Sequence, residues 1–554
     1  MGIVEEVEGC ANCQSLRRRL DGFNAENAQV FVFGNLTAED RQRLAVRLSA
    51  ALRDSGDSEA HLSCLTCVRI LSRDKENVDS LASPDLVLAL TQLAGYAVDF
   101  CAVNSCLRLE AKKALCNLAF NSCKCRESCE ADPKVLEGLM STLKAWNAES
   151  ASGQQHSLSD EELLFDYRLL FLLTALSSGV RERAGCQLGG IPLLTDGLTL
   201  ILSEIKKSMS LGKVVLLIEN LKGFFNLGLL SDVLSGTESS HISDELLERI
   251  GALFRELLLI DIPNDDTQDS LRSGVINALT RVPYEMFDLI VPPIETESPK
   301  GTEPSAAVAE FDGRDMSAVN VMLDFLKEKL SLPPQEVSDS VTPVLTVLTF
   351  MTSYSRSVRK YVKLRILPPR TDPYNRPEEG DETKNKLIKL MTGLSNVKNL
   401  AASFLFELCK RDVDRLIKYT GFGNAAGMIS DFGLFGLTHG RSNDFQNYSD
   451  DEEGGSDTEE FRAVHDRLNP VTGAVEPDLG DPFAGMTDEQ KEYEALQLVK
   501  KFDELLRSDG PIRPARVLPD GRVQPVEHVL ELQSGIDPTK DFSNDDDDLN
   551  RVDD

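Results

Sequence analysis

A chain of 554 residues with a net charge of −31 is too long for one hydrophobic core and too acidic for generic nucleic-acid binding. Hydrophobic residues make up 41%, as expected of a folded protein, but there is a single Trp. From Arg441 to Asp554 there are 30 acidic against 12 basic residues, so −18 of the −31 falls in the last 114 positions and marks them as a solvated segment.

The start, Met1-Gly-Ile-Val-Glu-Glu6, lacks a basic region followed by an apolar run, so no signal peptide is expected. Gly2 opens a myristoylation pattern that Glu6 breaks, and Asn550-Arg-Val-Asp-Asp554 carries no prenylation signal. No apolar run reaches the roughly 20 residues of a membrane-spanning helix. The expected location is the cytoplasm, with recruitment to the cell cortex or plasma membrane left open. Twelve cysteines have two readings. Cys10 and Cys13, and Cys64 and Cys67, have the pair spacing of zinc sites, and Cys116, Cys123, Cys125 and Cys129 cluster. Cys64, Cys67 and Cys116 lie in apolar helical runs, where a reduced thiol serves as a small core residue. Core thiols are expected, and a metal or other cofactor is not.

From about residue 30 to 425 the chain reads as amphipathic helices, apolar at i, i+3, i+4 and i+7, without period-2 strands. In chain order the clearest lie at 64–72, 112–118, 165–176, 221–227, 274–279, 344–351 and 401–409. Lys112-Lys-Ala-Leu-Cys-Asn-Leu118 returns as Leu221-Lys-Gly-Phe-Phe-Asn-Leu227 and more faintly as Gly274-Val-Ile-Asn-Ala-Leu279. Repeats of two or three helices are the armadillo and HEAT class, and about nine would fill residues 1–425. Each repeat buries its apolar face only against its neighbours, which lifts the limit on core size. The expected fold is therefore all-α, an armadillo/HEAT-like helical-repeat superhelix. Residues 148–159 and 295–305 read as surface loops, and 367–377 as a connector stiffened by prolines.

After Gly421 the periodicity dissolves. Gly421-Phe-Gly-Asn-Ala-Ala-Gly427 reads as a helix C-cap and turn, since a phosphate-cradling loop needs a strand before it. The expected organisation is a superhelix over 1–425, a Gly-rich and acidic linker over 426–485, a tail helix over 486–508 and a disordered acidic tail over 509–554. The tail helix opens on a capping box, Thr487-Asp-Glu-Gln490, and carries an apolar stripe of Tyr493, Leu496, Val499, Phe502, Leu505 and Leu506. Such a helix docks on its own array or on a partner.

No nucleophile elbow, Walker loop, kinase triad or helix-spaced His pair is present among the six His, so covalent catalysis is not expected. Asn117 and Asn226 hold the same place in two repeats and either clamp a bound chain in the groove or bridge neighbouring repeats. Arg69 and Arg73, one turn apart, either hold a carboxylate in that groove or pair on the surface with Asp74 and Glu76. The acidic run 448–461 offers Ser449 with Glu452 and Ser456 with Glu459, the spacing read by an acid-directed Ser/Thr kinase; Thr458 meets Phe461 instead. Arg356, Lys360 and Lys363 share one helix face with Arg359 on its flank, a natural partner for phosphate on those serines.

Several phrases are more particular. Ile417-Lys-Tyr-Thr-Gly-Phe-Gly-Asn-Ala-Ala-Gly427, Leu468-Asn-Pro-Val-Thr-Gly473, Gly485-Met-Thr-Asp-Glu-Gln-Lys-Glu492, Val68-Arg-Ile-Leu-Ser-Arg-Asp74, Thr383-Lys-Asn-Lys-Leu-Ile-Lys-Leu-Met-Thr392 and Phe165-Asp-Tyr-Arg-Leu-Leu-Phe-Leu-Leu-Thr-Ala-Leu176 resemble the synembryn family, over roughly residues 20–510. The resemblance implies a chaperone and guanine nucleotide exchange factor for heterotrimeric G protein α subunits, both GDP-bound and nucleotide-free. It implies that the groove grips the Gα C-terminal helix through Arg69, Arg73, Asn117, Asp166, Arg168 and Asn226, while the tail helix contacts the Ras-like domain. It also implies that a casein-kinase-II-like activity phosphorylates Ser449 and Ser456, which then pin to Arg356, Arg359 and Lys360. Gly454-Gly455 within the acidic run departs from the family pattern and loosens the register of Ser456. The alternative is an armadillo-type peptide-binding adaptor or transport scaffold without exchange activity.

Overall fold

The computed structural model describes residues 3–54, 57–96, 103–228, 243–294, 309–370, 372–393, 396–433, 463–464, 467–475, 485–507, 515–517 and 523–525. The chain divides into two compact units, Met1–Val475 and Glu476–Asp554.

The first unit is built from two rows of helices. A front row runs Cys13–Glu26, Ser58–Leu71, Ser105–Asn121, Asp160–Leu176, Leu211–Gly228, Asp265–Leu279, Pro334–Tyr354 and Lys398–Leu408, each packed on the next. A second row runs Ala38–Asp54, Pro84–Leu93, Cys123–Ala131, Pro133–Ser152, Gly190–Lys207, Asp244–Leu259 and Ser317–Lys329. Core side chains from both rows form one continuous cluster, from Val4 to Ile429. This is the stacking that defines a repeat solenoid, and it places the fold in the armadillo/HEAT class.

Cross-helix bonds fix the direction of the front row. Thr66 bonds Glu110, the Arg69 carbonyl accepts from Asn117, and the Ser72 carbonyl accepts from Asn121. Residue numbers rise together on both helices, so the two run parallel. The same order holds for Arg108 with Glu162 and Lys112 with Asp166, then for Arg168 with Glu219 and Phe171 with Asn226. The C-termini of these four helices therefore lie along one edge, which Arg281 over the Phe225 ring and Tyr284 stacked on Tyr354 extend to Asp265–Leu279 and Pro334–Tyr354.

That edge has a recurring corner. Ser122, Ser177 and Ser355 each cap the helix that follows, accepting from the N–H of Cys125, Val180 and Val358. Four residues after each serine an arginine reaches back to the preceding front-row helix. Arg126 donates to the carbonyl of Ala119 at 2.6 Å, Arg181 to Thr174 at 2.9 Å and Arg359 to Thr352 at 2.8 Å. The corner thus satisfies an orphan N–H and an orphan carbonyl at once. Ser-x3-Arg was present in the sequence and carried no meaning until its geometry appeared.

Two boundaries differ from the sequence expectation. The helix Pro133–Ser152 runs through the first part of the expected loop at 148–159 and ends on Gly153, at φ 65°. The array does not stop at 425: Phe422–Asp431 is a helix, and Leu468–Asn469 pairs with Ala474–Val475 in a hairpin of the same unit. The hairpin returns to the array through Phe422 N–H to the Pro470 carbonyl, Gly423 N–H to Val471 and Val475 N–H to Pro373. A Cβ on Gly421 or Gly423 would meet the Val471 carbonyl oxygen at 3.1 Å, so these glycines admit a neighbouring backbone rather than end the fold. The proline-rich connector is what the hairpin packs on: a Cβ on Gly473 would meet Pro377 at 3.0 Å. The expected loop at 295–305 lies outside the described residues.

Cys64, Cys67, Cys116, Cys125, Cys129 and Cys409 are buried free thiols, and burial pushes Cys64 and Cys409 up to about 12. Within the second unit Asp488–Arg507 is a helix, opened by the reciprocal Thr487–Gln490 capping box.

Candidate functional site

The outward face of the front row is where neighbouring helices bring charge together. Arg69 pairs with Glu110 at 2.5 Å rather than with Asp74 or Glu76, and Glu110 also accepts from Thr66 at 3.0 Å. Asp74 is instead buried against Arg41 at 2.7 Å. Arg73 donates to the Ala28 carbonyl at 2.7 Å and lies over the Phe31 ring at 5.3 Å. Asn117 donates to the Arg69 carbonyl at 3.3 Å; Asn226 donates to the Phe171 carbonyl at 2.9 Å and to Thr174 at 3.0 Å. Both carboxamides therefore bridge adjacent repeats from equivalent places. The Asn117 residue is half-buried, and Asn226 is buried.

Asp166 and Arg168 sit two residues apart on one helix and have opposite surroundings. Asp166 is wholly buried, accepting from Tyr96 Oη at 2.6 Å and Lys112 Nζ at 2.7 Å. Burial pushes its carboxyl above the ordinary range, against the pull of Lys112 and Tyr96. Beside it Arg108 pairs with Glu162 at 2.6 Å, both buried. Arg168 faces outward, pairing with Glu219 at 2.8 Å and lying over Phe165 at 5.4 Å. Lys113 approaches the same ring at 5.8 Å, and Lys222 shares Glu219 at 2.9 Å. Burial raises the Glu219 carboxyl, but its bonds to Arg168 and Lys222 outweigh this and hold it below the ordinary range. Phe165, Lys113, Lys222 and Glu219 extend the expected constellation. The contact of Lys113 with Phe165, a cation one helix away from an aromatic, needs the pairing of helices to be seen.

The basic helix spans Arg356–Ile366. Arg356 is exposed, while Lys360 and Lys363 are half-buried. Lys363 lies 5.8 Å from the Tyr419 ring centre. Arg359 is buried and serves as the corner clamp on Thr352. The basic face thus divides into an outward set and one internal residue. Ser449, Ser456 and Thr458 lie outside the described residues. Tyr493 and Leu496 are exposed on the tail helix, in which Val499 and Phe502 also fall. Among the described residues no group of His, Cys, Asp and Glu has metal-binding geometry, and no single helix is long and apolar enough to cross a membrane.

Comparison with known proteins bears on these features. Residues 64–522 match the family described as guanine nucleotide exchange factor synembryn. The chain is 35% identical over 523 residues to Chaperone Ric-8A of Gallus gallus, covering 92% of each. It is also 35% identical over 564 residues to Chaperone Ric-8A of Xenopus laevis, covering 98% of this chain and 99% of that one. Among solved structures it is similar to SYS-1, with 13% identity and a TM-score of 0.46, over 80% of this chain and 70% of that chain. With a family match over most of its length and relatives of this identity end to end, the chain belongs to the synembryn family.

Proposed function

We propose that the protein chaperones heterotrimeric G protein α subunits and promotes their GDP release, without covalent chemistry of its own. The observation that carries this is the outward cation and aromatic set of the front row, Arg69, Lys113, Phe165, Arg168 and Lys222, in a member of the synembryn family. Such a face suits a helix that ends in a carboxylate and carries apolar side chains, the chemistry of the Gα C-terminal helix. Exchange then follows from linkage. A protein that binds nucleotide-free Gα better than GDP-bound Gα lowers GDP affinity by the same factor. Shifting the population by two decades each way needs about 5.5 kcal/mol of differential binding, which a long face and a second contact from the tail helix together supply.

Phosphorylation of Ser449 and Ser456 by a casein-kinase-II-like activity regulates this by tying the acidic run to Arg356 and Lys360. Two features support the reading. The segments flanking the run, Phe422–Asp431 and Leu468–Val475, are bonded to each other, so the run is tethered at both ends. Tyr419, against which Lys363 lies, precedes that junction by three residues. The test is GDP release from purified GDP-loaded Gα with phosphorylated wild type, Ser449→Ala with Ser456→Ala, and Arg168→Glu. Wild type accelerates release, and each variant slows it. No acceleration by phosphorylated wild type contradicts the proposal; a serine variant equal to it contradicts the latch alone.

A further inference from the structure

The recurring phrase that carries Asn117 and Asn226 has a third copy, in which the asparagine is Asn277. Packing puts the last two copies in one register. A Cβ on Gly223 would meet Leu170 Cδ2 of the preceding front-row helix at 3.7 Å, and one on Gly274 would meet Leu221 Cδ1 at 3.3 Å. Asn226 lies three residues after Gly223 and donates to the carbonyl of Phe171, the residue after Leu170. Asn277 lies three residues after Gly274, so its equivalent acceptor is the carbonyl of Lys222, the residue after Leu221. That bond is not made. The Asn277 main-chain carbonyl accepts from Thr280 Oγ1 at 2.7 Å, but its side chain has no hydrogen bond among the described residues.

The third copy also differs in its neighbours. Four residues before Asn117 and Asn226 stand Lys113 and Lys222; four before Asn277 stands Ser273, half-buried and likewise without a side-chain bond among the described residues. Nearby charges are turned elsewhere. Asp269 pairs with Lys329, Arg281 lies over the Phe225 ring at 4.9 Å, and Arg272 buries its Nε. At this repeat the recurring pair thus changes from lysine and asparagine to serine and asparagine, both neutral hydrogen-bonding groups. A half-buried carboxamide in a bridging place, with its bridge unmade, has both donors and an acceptor to give.

Neutral groups that both donate and accept suit the main chain of a bound polypeptide rather than its charged side chains. Inside an α-helix the N–H and C=O groups are already paired, so only helix ends and extended residues have them free. An extended residue directs its N–H and its C=O to the same side, where one carboxamide meets both. We infer that Asn277 clamps the main chain of an extended Gα residue adjoining the helix held by the outward set. The inference rests on the proposed function and carries its contact face one repeat further toward the C-terminus, from Lys222 to Asn277.

Amide-to-ester replacement in the ligand tests it. A fluorescein-labelled synthetic peptide spanning the Gα C-terminal helix and its flanking residues is titrated against the full-length protein by anisotropy, with each main-chain N–H outside the helix replaced in turn by an ester oxygen. One such ester weakens binding to wild type about fivefold and has no effect on binding to Asn277→Ala, which itself binds the unmodified peptide about tenfold more weakly than wild type does. Asn277→Ala leaves the urea denaturation midpoint in place, unlike Asn117→Ala, because it breaks no side-chain bond within the described chain. Esters that weaken both proteins alike, an Asn277→Ala that binds like wild type, or a midpoint lowered as far as in Asn117→Ala overturns the inference and leaves exchange by wild type standing. Wild type that accelerates GDP release without binding the peptide overturns it as well. Wild type that does neither contradicts the proposed function, and the clamp with it.

Discussion

The central repeats, from Tyr96 to Asn226, and the C-terminal repeats, from Arg356 to Val475, use charge in opposite ways. In the centre, Lys112, Asp166, Arg108 and Glu162 are buried and wire one front-row helix to the next. Near the C-terminus only Arg359 of the basic face is buried, and Arg356 is exposed. Residue type at a repeat position therefore does not decide its role. Asp166 and Arg168 are two residues apart, yet one holds repeats together and the other faces outward. Arg356 and Arg359 repeat that contrast on the basic helix.

Substitutions at internal and at outward charges differ in cost. Lys112→Met strands the Asp166 carboxylate in the core and costs about 3–5 kcal/mol, measured by urea denaturation; adding Asp166→Leu returns much of the loss. Arg359→Ala removes a charged hydrogen bond and costs about 1.5–3 kcal/mol, whereas Arg356→Ala stays within about 0.5 kcal/mol. The opposite ranking would assign Arg359 to the phosphate and Arg356 to the fold. Asn117→Ala costs about 1 kcal/mol through the lost bridge to the Arg69 carbonyl, read from the same denaturation midpoint.

The smallest effect is on pH dependence. Burial raises the Glu162 and Glu219 carboxyls, but their bonds to Arg108 and Arg168 hold both below the ordinary value of 4.5. Their contribution is full above that value and is lost as pH falls through the lowered one. Asp166 is raised and acts with the opposite sign: the folded form holds its proton more tightly, so it opposes part of the acid loss. Denaturation midpoints between pH 7 and 3 should therefore fall on the acid side, and less so in Arg168→Ala, where the Glu219 pair is gone. An unchanged acid slope in that variant would show that Glu219 does not contribute to the acid loss.

Helical periodicity was enough to predict the array, and the matched phrases around Asn117 and Asn226 placed those residues at equivalent positions, as the two bridging bonds show. What periodicity could not reveal was which charges point inward, because burial depends on the helix packed opposite. The end of the array was hidden for a different reason. Gly421 and Gly423 look like helix breakers, yet they make room for a hairpin some fifty residues further along the chain. The clamping role of Arg126, Arg181 and Arg359 was hidden because Ser-x3-Arg has a meaning only once the preceding helix is known to end beside it.

Recognition of the Gα C-terminal helix is tested by GDP release from GDP-loaded Gα with phosphorylated protein, run in parallel with Gα truncated before that helix. Faster release from intact Gα and none from the truncated form is the predicted result. Equal acceleration of both would contradict recognition of that helix by the front row, and acceleration of neither would contradict exchange itself.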